Sequence, residues 1–262
     1  MQKLISIDLF ADFGMLKKPD TNEPVYLTFN MLHRPALLGI VGAIIGEGGF
    51  KEKGVLPDYY LNLNENLKIG IRPLNHENGN FQKTIITYNN TTGMASQEEG
   101  GNLMVTEQTL ISPAFCCYFL LDLENELHKK IDENFKNQKA EYIPYLGKNE
   151  FSAWWENYTD YPFDFFTPSE SFKIASMFVK EKFIKEGKEE EYFDLFSDLS
   201  GVGNSFMYFE RLPIGYEEIA PKHYQYEYEN FAYTDWSLKQ NYSLEKYPLL
   251  KLKSNEQVIQ VF

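Results

Sequence analysis

The segment His33-Arg-Pro-Ala-Leu-Leu-Gly-Ile-Val-Gly-Ala-Ile-Ile-Gly46 reads as one helix with an unusual surface. Pro35 suits the first turn, where a missing N–H leaves no hydrogen bond unmade. Gly39, Gly42, Ala43 and Gly46 recur at spacings of three and four, so one face carries almost no side chain. An interior glycine costs about 1 kcal/mol relative to alanine. Tertiary packing must therefore compensate, and close approach to a neighbouring sheet is the expected source. Gly46-Glu-Gly-Gly49 follows this helix and does not open one, so it predicts a C-terminal stop and not a phosphate loop. Ala36–Ile45 is also the longest apolar run of the chain. It falls short of the ~20 residues that span a bilayer, which predicts a buried helix and no membrane partner.

Working outward, residues 4–13 alternate. Ile5, Ile7, Leu9, Ala11 and Phe13 point one way, and Ser6, Asp8, Phe10 and Asp12 the other, as in a half-buried strand. A loop over 14–24 carries Lys17, Lys18 and Pro19. Further strands are predicted at 67–73, 81–88, 103–111 and 114–122, with a polar hairpin tip over 96–102. A helix is expected over 124–137, with Leu123, Leu127, Ile131 and Phe135 on one face. Residues 142–147 read as a short strand ending in a glycine loop. Thr167-Pro168-Ser169-Glu170 has the form of a capping box and predicts a helix ending near Gly187. The tail adds strands at 205–212 and 223–233, the second alternating Tyr224, Tyr226 and Tyr228 with Gln225, Glu227 and Glu229. The order strand, helix, strands, helix, strand predicts an α+β fold: a ferredoxin-like or RRM-like antiparallel sheet with helices on one face.

The chain has 262 residues, 43% hydrophobic and 16% aromatic, enough for a sizeable core. Its formal net charge of −13 argues against nucleic-acid binding by bulk electrostatics. The acid is uneven, however. Residues 186–229 hold eleven Asp/Glu against three Lys/Arg, whereas residues 1–40 hold four of each. A local basic groove in the N-terminal half is therefore compatible with the composition, and so is an acidic surface that engages only protein. Asp8 and Asp12 break the apolar start and exclude a signal-peptide reading. Cys116 and Cys117 are adjacent, cannot form an ordinary bridge, and read as buried thiols, which suits a cytoplasmic location. The sequence carries no Walker loop, nucleophile elbow or HExxH. His76 and His128 read as polar-loop and solvated residues, and no metal or cofactor is expected. His33 and Arg34 sit at a helix mouth, where free N–H groups and the macrodipole favour an anion. A phosphate site and a plain helix cap with a surface salt bridge explain them equally. The base-stacking aromatics of RRM strands are missing, so RNA contact would fall to loops and the hairpin.

Three segments together resemble one known family. They are the opening strand into Phe13-Gly-Met-Leu-Lys-Lys-Pro19, the proline-led His33–Gly46 helix, and Tyr142-Ile-Pro-Tyr-Leu-Gly-Lys-Asn-Glu-Phe151. In this order they are similar to CRISPR-associated family five, the "Cas-five" RAMP subunit of Cascade, with a length and lysine-rich, acidic style closest to type I-B. The resemblance covers roughly the first 150 residues. It implies a RAMP ferredoxin-like domain over 1–155 with a β-hairpin thumb at about 81–112, and a C-terminal extension over 156–262 packed on it. It further implies a subunit that is not an enzyme, binds the 5′ handle of CRISPR RNA and caps the backbone filament. Its partners would be the backbone RAMP subunits and the large subunit, with target DNA contacted only indirectly. The RNA-binding set it implies is Lys17, Lys18, His33, Arg34, Lys83 and Lys148. One branch of the family cleaves repeat RNA without metal. His33, Lys17 or Lys18, and Tyr26 would supply the base and cation for that alternative, although no matching catalytic motif is present.

Overall fold

The computed structural model describes residues 1–20, 24–91, 93, 97, 101–180, 184–185, 188–189, 206–238 and 246–262. Its centre is a four-stranded antiparallel sheet of β1 (Gln2–Ala11), β2 (Lys68–Leu74), β5 (Ala114–Asp122) and β6 (Ala153–Tyr161). The spatial order is β2-β5-β1-β6. Ile5 lies opposite Phe119 and Leu9 opposite Phe115. Ile71 lies opposite Cys117. With α1 (Arg34–Ile45) between β1 and β2, and α3 (Glu126–Lys136) between β5 and β6, this is the ferredoxin-like arrangement. Between β2 and β5 stands the hairpin β3 (Lys83–Asn89) and β4 (Met104–Ile111), joined at its base by Phe13–Gly14. The expected hairpin tip over 96–102 falls largely outside the described residues.

One sheet face, with Ile5, Ile7, Leu9, Ile71, Cys117 and Phe119, packs on α1 and α3 in a single buried cluster. The other face, with Leu4, Cys116, Tyr118 and Leu120, is closed by β7 (Phe163–Phe165), β10 (Leu249–Leu252) and β11 (Val258–Gln260) through Phe163, Leu250, Leu252 and Ile259. In an RRM that second face meets RNA. Here it is core, which is the physical reason its aromatics form no stacking platform. Both cysteines are free and buried on β5. Burial pushes the Cys116 thiol up to about 11 and raises the Cys117 thiol as well.

Several expectations need correction. The glycine face of α1 does not lie on the sheet. A Cβ on Gly42 would stand 2.5 Å from Cβ of Tyr59, on the short helix α2 (Asp58–Leu63). Close packing is the reason for the glycine, but the partner is a helix. Gly46 ends α1 as expected, in the left-handed region (φ 77°), with its N–H on Ala43 and that of Glu47 on Gly42. The last strand of the sheet is β6, not 142–147, which forms only one bridge, Tyr145 to Ser152. No helix forms over the described residues 167–180, where Phe172 pairs with Leu238 and Ile174 with Val258 in an extended run; the far end of the expected helix lies partly outside the described residues. Phe172, Ile174 and Phe178 bury in a C-terminal cluster, and this burial overrides the local capping signal. His128 is buried, not solvated, and its Nδ1 accepts from the Asp122 N–H at 2.8 Å.

The C-terminal hairpin of β8 (Met207–Ala220) and β9 (His223–Thr234) crosses the end of α1. It is anchored by Glu210, which accepts from the backbone N–H groups of Asn30 and Met31, both at 3.1 Å. It is anchored again by Tyr60, whose hydroxyl accepts from the Tyr216 N–H at 2.8 Å. Among the described residues no helix is long and apolar enough to cross a membrane.

Candidate nucleic-acid interface

Four elements enclose an open groove of about 750 Å³: the bare face of α1, the β3–β4 hairpin, the 142–148 loop and the β8–β9 hairpin. Its floor is Ala36, Gly39 and Ala43, where the absence of side chains lets a ligand approach the helix. Its walls are seven tyrosines: Tyr26, Tyr59, Tyr88, Tyr142, Tyr145, Tyr216 and Tyr226. Tyr216 and Tyr226 stack across the hairpin at 5.0 Å, and Tyr60 meets Tyr216 edge-on at 4.9 Å. Tyr26 is held beside the thumb-like hairpin by backbone bonds, its N–H to Thr106 (2.9 Å) and its carbonyl from Gln108 (2.8 Å). Burial raises the Tyr59 phenol to about 12, and raises Tyr216 and Tyr226 as well. These rings are therefore neutral at physiological pH and present faces and hydroxyls without adding negative charge.

The loop that carries Lys148 is stapled to the exit of β1. Met15 N–H donates to Leu146 at 3.1 Å, and a Cβ on Gly147 (φ 88°) would fall 2.0 Å from the Met15 carbonyl. Only glycine fits there. Lys148 Nζ then reaches Glu107 of β4 at 2.7 Å and the Tyr88 hydroxyl at 3.1 Å. Burial lowers its pKa, but the bonds to Glu107 and Tyr88 outweigh this and the net shift is upward.

Of the six residues singled out from the sequence, three line the groove: Lys17, His33 and Lys148. Lys17 is exposed, with Nζ 3.8 Å above the Tyr26 ring. His33 is the N-cap of α1, its Nδ1 accepting from Ala36 N–H at 3.3 Å. Burial lowers its pKa to about 3, so the ring is neutral, and its edges meet Phe29 and Tyr226. The cap alternative thus describes its hydrogen bond. Arg34 is not at the mouth. Its guanidinium turns inward, bonding the Asn64 side chain and backbone and the carbonyls of Ile214 and Leu67, both at 3.3 Å. Those bonds hold its guanidinium away from the groove, which it does not line. Lys18 leans on Glu210 at 3.6 Å. Lys83 donates to the buried Asn30 at 2.6 Å. Neither lines the groove. The tyrosines were missed because they are scattered from position 26 to 226, although the Tyr224–Tyr226–Tyr228 alternation was a visible part of the pattern.

No protein-family model and no curated protein matches the chain. Solved structures match in fold. A chain of the type III-B Cmr-beta complex bound to cognate target RNA and AMPPnP superposes with a TM-score of 0.51 at 11% identity, over 98% of this chain and 99% of that one. Other solved structures that match carry CRISPR in their descriptions. A chain of a CRISPR RNA-guided surveillance complex gives 0.48 at 11% identity over 92% of both chains. A CRISPR protein from Archaeoglobus fulgidus gives 0.46 at 14%, over 100% of this chain and 98% of that one. At such identities the likeness is one of fold, and it agrees with an α+β RAMP-like architecture.

Proposed function

We propose that this chain is a non-catalytic, RNA-gripping subunit of a CRISPR interference complex, and that its groove holds the single-stranded 5′ handle of CRISPR RNA. The observation that carries this reading is the combination of seven tyrosines, a floor of small residues and two lysines in one open groove. Single strands are bound by stacking bases on aromatic faces while cations track the backbone. Bases would lie along Tyr216, Tyr226 and Tyr145, with Lys17 and Lys148 toward the phosphates. In the Cas-five role that the three sequence segments suggest, the chain would cap the backbone filament and meet the large subunit. A non-catalytic role is supported by His33: its Nδ1 caps a helix, and its low pKa makes it a weak proton acceptor at neutral pH.

The test is end-labelled repeat RNA mixed with the protein in EDTA at several salt concentrations, run on native and denaturing gels. The expected result is a shifted, intact RNA. With two lysines in the groove, log affinity against log salt should have a shallow slope, about −1.4. A discrete cleavage product would instead make the chain a metal-independent endoribonuclease. Absence of any shift, for the lone chain and for the co-expressed complex alike, would contradict the proposal.

A further inference from the structure

A second cavity, of about 610 Å³, shares no lining residue with the groove and lies between the 166–175 segment, β9 and the β10–β11 turn. Arg72 of β2 lines it beside the rings of Phe166, Phe206 and Tyr233 and the hydroxyls of Ser169 and Ser171. The groups that act on Arg72 are Tyr118, the Cys116 thiol and Tyr233. Glu170, Asp235 and Glu256 also line the cavity, Asp235 accepting from the Phe206 N–H and Glu256 pairing with Lys251. The neighbouring ion pairs, Lys251–Glu256 and Lys253–Asp164, leave it out. Its Nε is buried and, among the described residues, has no hydrogen-bond partner. Its charge is felt nearby, since His76 is held below the usual histidine range first by burial and then by Arg72.

Nε is itself shut off from the cavity, so a ligand would meet the terminal N–H groups of a half-buried guanidinium that lines it, and that planar fork fits phosphate. Three rings around it offer stacking surface, and the volume falls in the range of small-molecule sites. We infer that this cavity is a nucleotide site, with the phosphate on Arg72 and the base against Phe206 and Tyr233. The same chemistry fits a free mononucleotide or the phosphorylated end of a strand. The site is separate from the groove and does not rest on the proposed handle binding.

The test is calorimetric titration of AMP into the full chain. Saturable binding is expected, weakened about tenfold to a hundredfold in Arg72→Gln, as befits loss of a charged hydrogen bond. Ser169 is exposed at the rim, so Ser169→Trp should fill the cavity and abolish binding without disturbing the fold, and it decides the matter if Arg72→Gln does not fold. Competition by a 5′-phosphorylated trinucleotide separates the two sources. Tighter binding than AMP assigns the site to a strand end, and equal or weaker binding assigns it to a free nucleotide. No saturable heat from AMP, or equal heat from wild type and Ser169→Trp, would overturn the inference.

Discussion

Adjacent residues His33 and Arg34 have different duties, and each makes its own prediction. His33 is buried and neutral, with a pKa of about 3, against roughly 6.5 in an unfolded chain. The unfolded state therefore takes up a proton that the folded state refuses as pH falls below about 6.5. Stability is full above that pH and declines toward pH 3, by on the order of 1.4 kcal/mol per pH unit from this group. His33→Asn keeps a good cap and has no such proton. Urea unfolding at pH 7 and pH 5 should show a smaller loss for the variant than for wild type; equal losses would refute the assignment. Arg34 joins α1 to the residues after α2 and to β8. Arg34→Ala should lower the unfolding free energy by about 2–3 kcal/mol, since it leaves buried carbonyls unpaired. An unchanged stability with weakened RNA binding would return Arg34 to a phosphate-contacting role. The sequence showed that both residues sat at a helix N-terminus. It could not show which way a long side chain folds, because the Ile214 carbonyl lies 180 residues away.

Elements with strong local signals are the ones the sequence revealed. The alternation of Ile5, Ile7, Leu9 and Ala11 in β1, the glycine stop after α1, the Leu127–Ile131–Phe135 stripe of α3 and the thumb-like hairpin all survive in the fold, since each is decided by neighbours in sequence. β1 is not the half-buried strand expected, because Leu4 and Ser6 on its other face are buried too, and Phe13 lies beyond it and is exposed. Two elements decided by distant contacts were misread. β6 has its alternation broken by a bulge where Asn157 takes φ 54° and bonds Asp8 at 2.9 Å. The Thr167–Glu170 box is locally sound, but a helix there would pull Phe172 and Ile174 off the C-terminal cluster. This difference can be measured. Glu170→Ala should leave stability within about 0.5 kcal/mol, because no helix depends on it. Phe172→Ala should cost about 3 kcal/mol through the cavity it leaves. The reverse ranking in urea unfolding would restore the helix.

At the scale of the whole molecule, a net charge of −13 is compatible with the proposed RNA binding because the groove relies on rings more than on charge. Lys148 is balanced by Glu107, and Glu47 also faces the groove. Its walls come from widely separated stretches of chain, so no linear motif announces it, and only folding brings Tyr26 and Tyr226 to one site. The ferredoxin-like core supplies the position: with one sheet face under helices and the other under β10 and β11, the surface left for a strand runs over α1. The most direct test is photocrosslinking of repeat RNA carrying 4-thiouridine in the handle, followed by mass-spectrometric mapping of the attached residues. Adducts should concentrate on Tyr26, Tyr88, Tyr145, Tyr216 and Tyr226. Adducts confined to residues outside the groove would contradict the account.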